Sequence, residues 1–370
     1  MAKIRVAVLF GGRSGEHEVS LASARSVMDA LDKSRYEIYP VGIDRSGRWI
    51  AQGDPMALLA AGEDGLALPG ELANHDLPAV QGGRELVPGT ANAHFPVVDV
   101  VIPVLHGTYG EDGTVQGLLE LADLAYVGAG VLGSAVGMDK IVQKAVLKAH
   151  GLPIVDYVPV LRSSWLSEPD RVLAEIEARL AYPVFTKPAN AGSSVGVAKA
   201  HNREELRQGL DLAARFDRKV LVEAGIDARE IECSVLGNDD PIASLPGEVI
   251  PSNEFYDYSA KYLDNASGLE IPARLSEEQT CEVQSLAIRA FTAIDCAGMA
   301  RVDFFLDRLS SALYVNELNT IPGFTEISMY PKLWAASGLP YPQLLDRLIE
   351  LAIERREDKD RSQTRYEFDH

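Results

Sequence analysis

IRVAVLFGGRSGEHE, residues 4–18, sets the architecture for the rest of the chain. Its first seven residues form a near-continuous apolar run, as a β-strand covered on both faces requires. Gly11, Gly12 and Gly15 make a turn, and an amphipathic helix is expected from about Glu18 to Leu31. Further strands are expected at 36–43 and at 98–104 (VDVVIPV), with a helix at Thr114–Ala122. Strands alternating with helices predict a parallel α/β sheet. The region 45–95 is rich in Ala, Gly and Pro with weak periodicity, and reads as an extended insertion with short elements of its own.

The pattern changes near Met138. A helix at 139–149 is stopped by Gly151 and Pro153. Strands follow near 154–160, 183–187, 195–200, 219–223 and 230–236, with a helix over about 168–180, which together make a small α+β unit. Ser252–Ile271 is polar, Tyr-rich and without regular period, so it reads as a functional loop. A long helix (about 276–294), two β-rich runs (299–306 and 312–318) and helices near 329–337 and 341–355 complete the chain. The expected division is three domains, 1–137, 138–236 and 237–355. A lid loop at 252–270 belongs to the last, and a charged, solvated tail follows at 356–370.

With 370 residues, 46% of them hydrophobic, the chain has material for several cores. Its formal charge of -19 repels phosphate backbones and anionic lipid, which argues against nucleic acid and membrane as partners. A small anionic ligand remains possible where basic residues gather locally. Cys233, Cys281 and Cys296 have no metal spacing and suit free thiols in a reducing compartment. Lys3 and Arg5 interrupt the first apolar run, which is too short for a signal peptide, and no apolar run reaches membrane-span length. A cytoplasmic protein is expected.

Four segments carry chemistry. Gly11-Gly12-Arg13-Ser14-Gly15-Glu16-His17-Glu18 puts glycines between a strand and a helix start, where backbone amides approach anions. A plain strand-to-helix turn explains it equally well. Its spacing is not the dinucleotide G-x-G-x-x-G. Leu105-His106-Gly107-Thr108-Tyr109-Gly110-Glu111-Asp112-Gly113 follows a buried strand, at the end of the sheet where α/β proteins hold ligands. Taken alone, it reads more commonly as a surface loop. Lys187-Pro188-Ala189-Asn190-Ala191-Gly192-Ser193-Ser194-Val195-Gly196 closes a strand with a lysine and a small flexible loop, which suits a phosphate cover. A Gly/Ser hairpin explains the loop but not Lys187. Finally, Asp303, Glu317 and Asn319 sit in adjacent β-rich runs among apolar neighbours. Two carboxylates and an amide oxygen there form a hard-oxygen set suited to Mg²⁺, because buried carboxylates without a cation are costly.

Together and in this order, GGRSGEHEVS, LHGTYGEDGTVQG, Met138-Asp139-Lys140, KPANAGSSVG, YDYSAKY (256–262), Arg301-Val302-Asp303 and NELNTIPGFTEIS make the chain resemble the D-alanine–D-alanine ligases of the ATP-grasp superfamily, from about Ile4 to Glu354. The resemblance implies a three-domain ATP-grasp fold, with ATP between the central and C-terminal domains. It implies that Lys140 and Lys187 hold the phosphates, and that Glu223 and Glu230 address adenine and ribose. Asp303, Glu317 and Asn319 would bind two Mg²⁺, with Mn²⁺ as an alternative. Glu16 and His106 would position the first D-alanine, and Ser193 and Tyr262 would complete a hydrogen-bonded link to Glu16. Lys261 and Ser328 would contact the second D-alanine or the loop over it. Arg301 and the backbone of Gly323 would stabilise the tetrahedral intermediate. A homodimer is implied too. The sequence departs at Ala224, where the family often carries a basic residue, and 45–95 matches least well.

Three other readings stand beside this one. A D-alanine–D-lactate ligase is disfavoured by Tyr262 in an intact YDYSAKY segment. A non-catalytic ATP-binding regulatory module is disfavoured by the full acidic set and both lysines. A dinucleotide oxidoreductase lacks the glycine fingerprint.

Overall fold

The computed structural model describes residues 2–51, 53–60, 79–80, 86–87, 97–250 and 268–363. The first strand, Ile4–Gly11, lies at the centre of a sheet ordered Trp49–Ile50, Tyr36–Ile43, Ile4–Gly11, Val100–Val104, Ala125–Tyr126. It pairs parallel with both of its neighbours. Val6, Val8 and Phe10 enter one core, and Ala7 and Leu9 enter another on the opposite face. Two covered faces explain why the run is continuously apolar. Helix His17–Ala30 follows the glycine turn, with Glu16 at its N-cap position.

The last helix returns to this first sheet. Leu344, Leu345 and Leu348 of helix Tyr341–Asp360 share a core with Val6, Val8 and Val104. The helix passes the expected end at 355, which corrects the reading of 356–360 as tail. Its late basic residues have partners on the first domain. Arg355 Nη2 donates to the Tyr126 carbonyl at 3.0 Å, Arg356 bonds Asp123, and Lys359 bonds Glu120. Residues 364–370 of the expected tail lie outside the described residues.

A second sheet, Ala198–Ala200, Val184–Pro188, Lys219–Ala224, Tyr157–Leu161, is antiparallel throughout. Helices Pro169–Glu177 and Arg203–Phe216 cover one side. The second of these helices was not anticipated. Its signals are Leu206, Leu210 and Ala213 at helical spacing and an Asn202 cap that accepts the Glu205 N–H at 3.0 Å. Helix Val131–Met138 was also missed; it runs into helix Lys140–Ala149, whose N-cap Asp139 accepts the Val142 N–H. The strand expected at 195–200 begins at Ala198, because 190–197 is taken up by turns.

The third sheet is ordered Gly268–Glu270, Gly247–Ile250, Ala228–Gly237, Gly298–Asp307, Leu313–Asn319, with Ile242–Ala243 beside the third of these. Helix Glu277–Ala293, started by a capping box between Ser276 and Gln279, covers one face. Val302, Phe304 and Leu306 point into that core, so Arg301, Asp303 and Phe305 point the other way. Residues 268–270 of the expected lid form an edge strand instead, and 252–267 lie outside the described residues. Among the described residues no helix is long and apolar enough to cross a membrane.

Candidate active site

Strand periodicity gathers the acids. Glu232, Asp303 and Glu317 are register partners across three adjacent strands, and Arg301 pairs with Asn319 one step away. Arg301 grips Asp303 with two bonds, Nε to Oδ1 at 2.7 Å and Nη2 to Oδ2 at 2.8 Å, and stands 2.9 Å from Glu232. Asn319 Nδ2 donates to Asp303 Oδ2 at 3.0 Å. Burial opposes the Arg301 charge, but Asp303 and Glu232 outweigh it and raise the guanidinium further above its usual range.

Helix Lys140–Ala149 brings two lysines to this face. Lys140 Nζ lies 3.2 Å from Glu317 Oε2 and donates to the Ala191 carbonyl at 2.9 Å. Lys144, four residues on, shares that helix side and is buried. It is ion-paired with Glu223 Oε1, while Lys187 Nζ donates to Glu223 Oε2 at 2.6 Å. Burial alone would raise the Glu223 carboxyl, but the two lysines hold it below its ordinary value. Burial depresses Lys144, with the Lys187 charge adding to it. Burial also opposes the charge of Lys187, but Glu223, Glu317 and Glu230 keep it above the ordinary lysine value. Glu230 sits opposite Phe305 and Val249 on the sheet.

The loop after Lys187 is tied at its base. Asn190 N–H and Nδ2 both donate to Asp217 Oδ2 at 2.8 Å, and Asn190 Nδ2 reaches Asp139 at 3.2 Å. At its tip Ser193 Oγ donates to Glu16 Oε1. Gly192 and Gly107 flank the same carboxylate: a Cβ on them would stand 2.6 and 2.7 Å from Glu16 Oε2. Glu16 N–H donates to Ser14 Oγ at 3.0 Å, and Ser14 Oγ donates to the His106 carbonyl at 2.7 Å.

His106 is 4% exposed, and both ring nitrogens have protein partners. Nδ1 stands 3.1 Å from the Ile321 carbonyl, which can only accept, so Nδ1 carries the proton and Nε2 accepts from Ser23 Oγ at 3.2 Å. Burial, working against the nearby Glu16 charge, holds the imidazole below its ordinary value. Ser23 Oγ also accepts the Phe324 N–H at 3.5 Å, which seats the loop carrying Gly323 and Ser328 beside His106. A Cβ on Gly323 would lie 3.2 Å from Ser328 Oγ, which itself accepts the Thr325 N–H at 3.1 Å. Glu111 Oε2 accepts the Gly107 N–H at 2.8 Å. Burial, then the Glu16 charge, push that carboxyl well above its ordinary value.

Lys261 and Tyr262 lie outside the described residues. The other expected site residues lie along this chain of contacts. Sequence reading missed Lys144, Glu111, Glu232 and Ser23. Available signals were the Lys140/Lys144 helical spacing, the alternation of Glu230 and Glu232, and the place of Glu111 in an already conspicuous motif.

Asp303, Glu317 and Asn319 suit a divalent ion. They offer hard oxygens from two paired strands, and in the structure their charge is balanced by Arg301 and Lys140. Among the described residues no three His, Cys, Asp or Glu side chains stand at metal spacing; this set counts an asparagine, and phosphate oxygens would supply further ligands.

Groups able to neutralise phosphate thus stand at one end of a chain of contacts and a glutamate suited to an ammonium at the other. The fold around them is the three-domain ATP-grasp fold, and the class is that of ADP-forming ligases. Residues 5–129 match the family model "D-ala D-ala ligase N-terminus" and residues 146–350 match "D-ala D-ala ligase C-terminus". The D-alanine–D-alanine ligase of Natranaerobius thermophilus is 51% identical over 98% of this chain and 99% of its own. That of Thermoanaerobacter sp. strain X514 is 54% identical, over 97% and 99%. Among solved structures, the Coxiella burnetii D-alanine–D-alanine ligase superposes with a TM-score of 0.81 at 40% identity, covering 97% of each chain. The VanG D-Ala:D-Ser ligase of Enterococcus faecalis does so with 0.81 at 36%, covering 95% of this chain and 100% of its own. The chain belongs to the D-alanine–D-alanine ligase family.

Proposed function

We propose that this chain joins two D-alanines into D-alanyl-D-alanine for peptidoglycan precursors, using ATP and releasing ADP and phosphate. One observation carries the reading. Glu317 meets Lys140, Lys140 holds Ala191, and two residues on in the same loop Ser193 holds Glu16. This chain of contacts between an acid suited to a metal and an acid suited to an amino acid supports the reading.

The ammonium of the first D-alanine pairs with Glu16, and His106 fixes the wall behind it. Lys140 and Lys187 hold the ATP phosphates, with Glu223 and Glu230 toward the adenine and ribose. Asp303, Glu317 and Asn319 would hold two Mg²⁺, or Mn²⁺, which when bound draw negative charge off the phosphates. The γ-phosphate passes to the D-alanine carboxylate, turning a poor leaving oxygen into phosphate. Like charges about 4 Å apart repel by roughly 4 kcal/mol at an effective dielectric near 20, so the lysines are needed merely to let the two anions meet. The deprotonated amine of the second D-alanine then attacks the acyl phosphate. Arg301 and the Gly323 amide face the developing oxyanion, where loss of one donor typically costs roughly 3–4 kcal/mol. Ser328, Lys261 and Tyr262 belong to the second-substrate side, and 252–267 is the lid that excludes water. We place the enzyme in the cytoplasm as a homodimer. The relatives above 50% identity support D-alanine, rather than D-lactate or D-serine, as the second substrate.

A coupled ATPase assay across D- and L-amino acids, D-lactate and D-serine tests the reading. Phosphate release specific to D-alanine, with dipeptide as product, is the expected result; release indifferent to D-alanine would overturn it. Glu317→Gln should nearly abolish turnover.

A further inference from the structure

We infer that Lys144 is a positioning residue for nucleotide binding: by holding one oxygen of Glu223, it keeps that carboxylate from neutralising Lys187. The inference rests on the proposed contact of Lys187 with phosphate. Lys144 has no place in the reaction as described, yet it is 2% exposed and Glu223 is 1% exposed. Charged groups are almost never buried this deeply without a specific partner. The partner here is shared. Glu223 Oε1 faces Lys144, and Glu223 Oε2 accepts from Lys187 at 2.6 Å.

Charge counting gives the consequence. Among Lys144, Glu223 and Lys187 two ammonium groups share one carboxylate, so Lys144 adds one positive charge against Glu223 and against the Glu317 and Glu230 charges that also reach Lys187. Lys144 is sealed in the interior, whereas the Lys187 side chain is 15% exposed and its ammonium lies 6.0 Å from the Phe305 ring on the open face of the third sheet. The added charge is therefore felt at Lys187, the partly exposed member of the three. Without Lys144, the Glu223–Lys187 pair is neutral overall and offers a phosphate little. Helix geometry supports this division, since Lys140 and Lys144 lie one turn apart and face Glu317 and Glu223 respectively. The two acids each receive one lysine from this helix, and Glu223 is shared with Lys187.

Calorimetric titration with ADP and with inorganic tripolyphosphate tests this, the second probe being blind to adenine contacts. Lys144→Met should weaken both by roughly tenfold, and leave the KM for D-alanine unchanged. The double variant Lys144→Met/Glu223→Gln should recover most of the tripolyphosphate affinity, because the carboxylate bonded directly to Lys187 is then gone. A residue serving stability alone would lower the melting temperature without that recovery. Unchanged binding by Lys144→Met, or no recovery in the double variant, would overturn the inference. Lys187→Met separates it from the reading beneath it: if this variant binds tripolyphosphate as tightly as the parent, the phosphate role of Lys187 itself fails. Should Lys144→Met not fold, Glu223→Gln alone is decisive. It should bind tripolyphosphate at least as tightly as the parent, and weaker binding would refute the arrangement.

Discussion

The Ser193 hydroxyl donates to the Glu16 carboxylate across 177 positions of sequence, closing the loop of the central domain onto the first helix of the N-terminal one. Because the acceptor is a carboxylate, the bond is charge-assisted and stronger than a neutral one. It fixes Glu16 only when the 190–196 loop is seated, so the proposed role of Glu16 couples first-substrate binding to loop position.

Ser193→Ala removes that donor. Hydrogen bonds to charged groups contribute about 1.5–3 kcal/mol, which corresponds to roughly 10- to 100-fold in kcat/KM for D-alanine. The KM for ATP should move far less. Steady-state kinetics with each substrate varied separately checks this, and equal losses for the two substrates would contradict it.

Gly192→Ala places a methyl group 2.6 Å from Glu16 Oε2. The clash is with the tip of a flexible side chain, so it swings the carboxylate rather than breaking the fold. The melting temperature should stay within a few degrees of the parent, while the KM for the first D-alanine rises by about tenfold or more. A large drop in melting temperature would instead show the backbone to be at fault.

Glu111 has a carboxyl raised well above its ordinary value by burial and by Glu16. A raised carboxyl means that the unfolded chain loses its proton first. Stability then falls as pH rises from the unfolded value, about 4.3, through the folded one. Glu111→Gln keeps an acceptor for the Gly107 N–H and removes this cost. The variant should unfold at higher temperature than the parent at pH 8, and the gap should narrow toward pH 4. Calorimetric scans across that range are the check, and a gap independent of pH would count against the assignment.

Asp139 behaves in the opposite sense. Burial would raise its carboxyl, but the Lys219 ammonium, the Val142 N–H and Asn190 outweigh it and hold it below its ordinary value. The unfolded chain therefore takes up its proton first as pH falls. The stabilisation is fully present above about 3.9 and is lost as pH drops through the folded value. Asp139→Asn should be less stable than the parent at pH 7 in urea unfolding. The difference should shrink below about pH 4, and persistence of the full difference at pH 3 would disprove the linkage.

Much of this was legible in residue order. The run 4–10 is apolar at every position but Arg5, so a strand covered on both faces was readable without coordinates, and Asp303, Glu317 and Asn319 stood out as polar positions beside apolar neighbours. The family followed from motifs appearing in order. Helix Arg203–Phe216 was readable in principle from its cap and period, Leu206, Leu210 and Ala213 behind an Asn202 cap. The extension of the last helix to Asp360 was not readable, because a charge-rich segment is solvated unless partners await it. Those partners, Asp123 and Glu120, lie more than two hundred positions away.

By itself, then, the sequence determined most of the elements, their class and the inventory of acids and lysines, since periodicity and composition are local properties. Only the tertiary structure decided how those charges are shared: that Glu223 divides itself between Lys144 and Lys187, that Ser193 closes on Glu16, and that both nitrogens of His106 are engaged. Pairing of buried charges depends on distances of a few ångströms between segments far apart in the chain, and those distances exist only once the three sheets have packed.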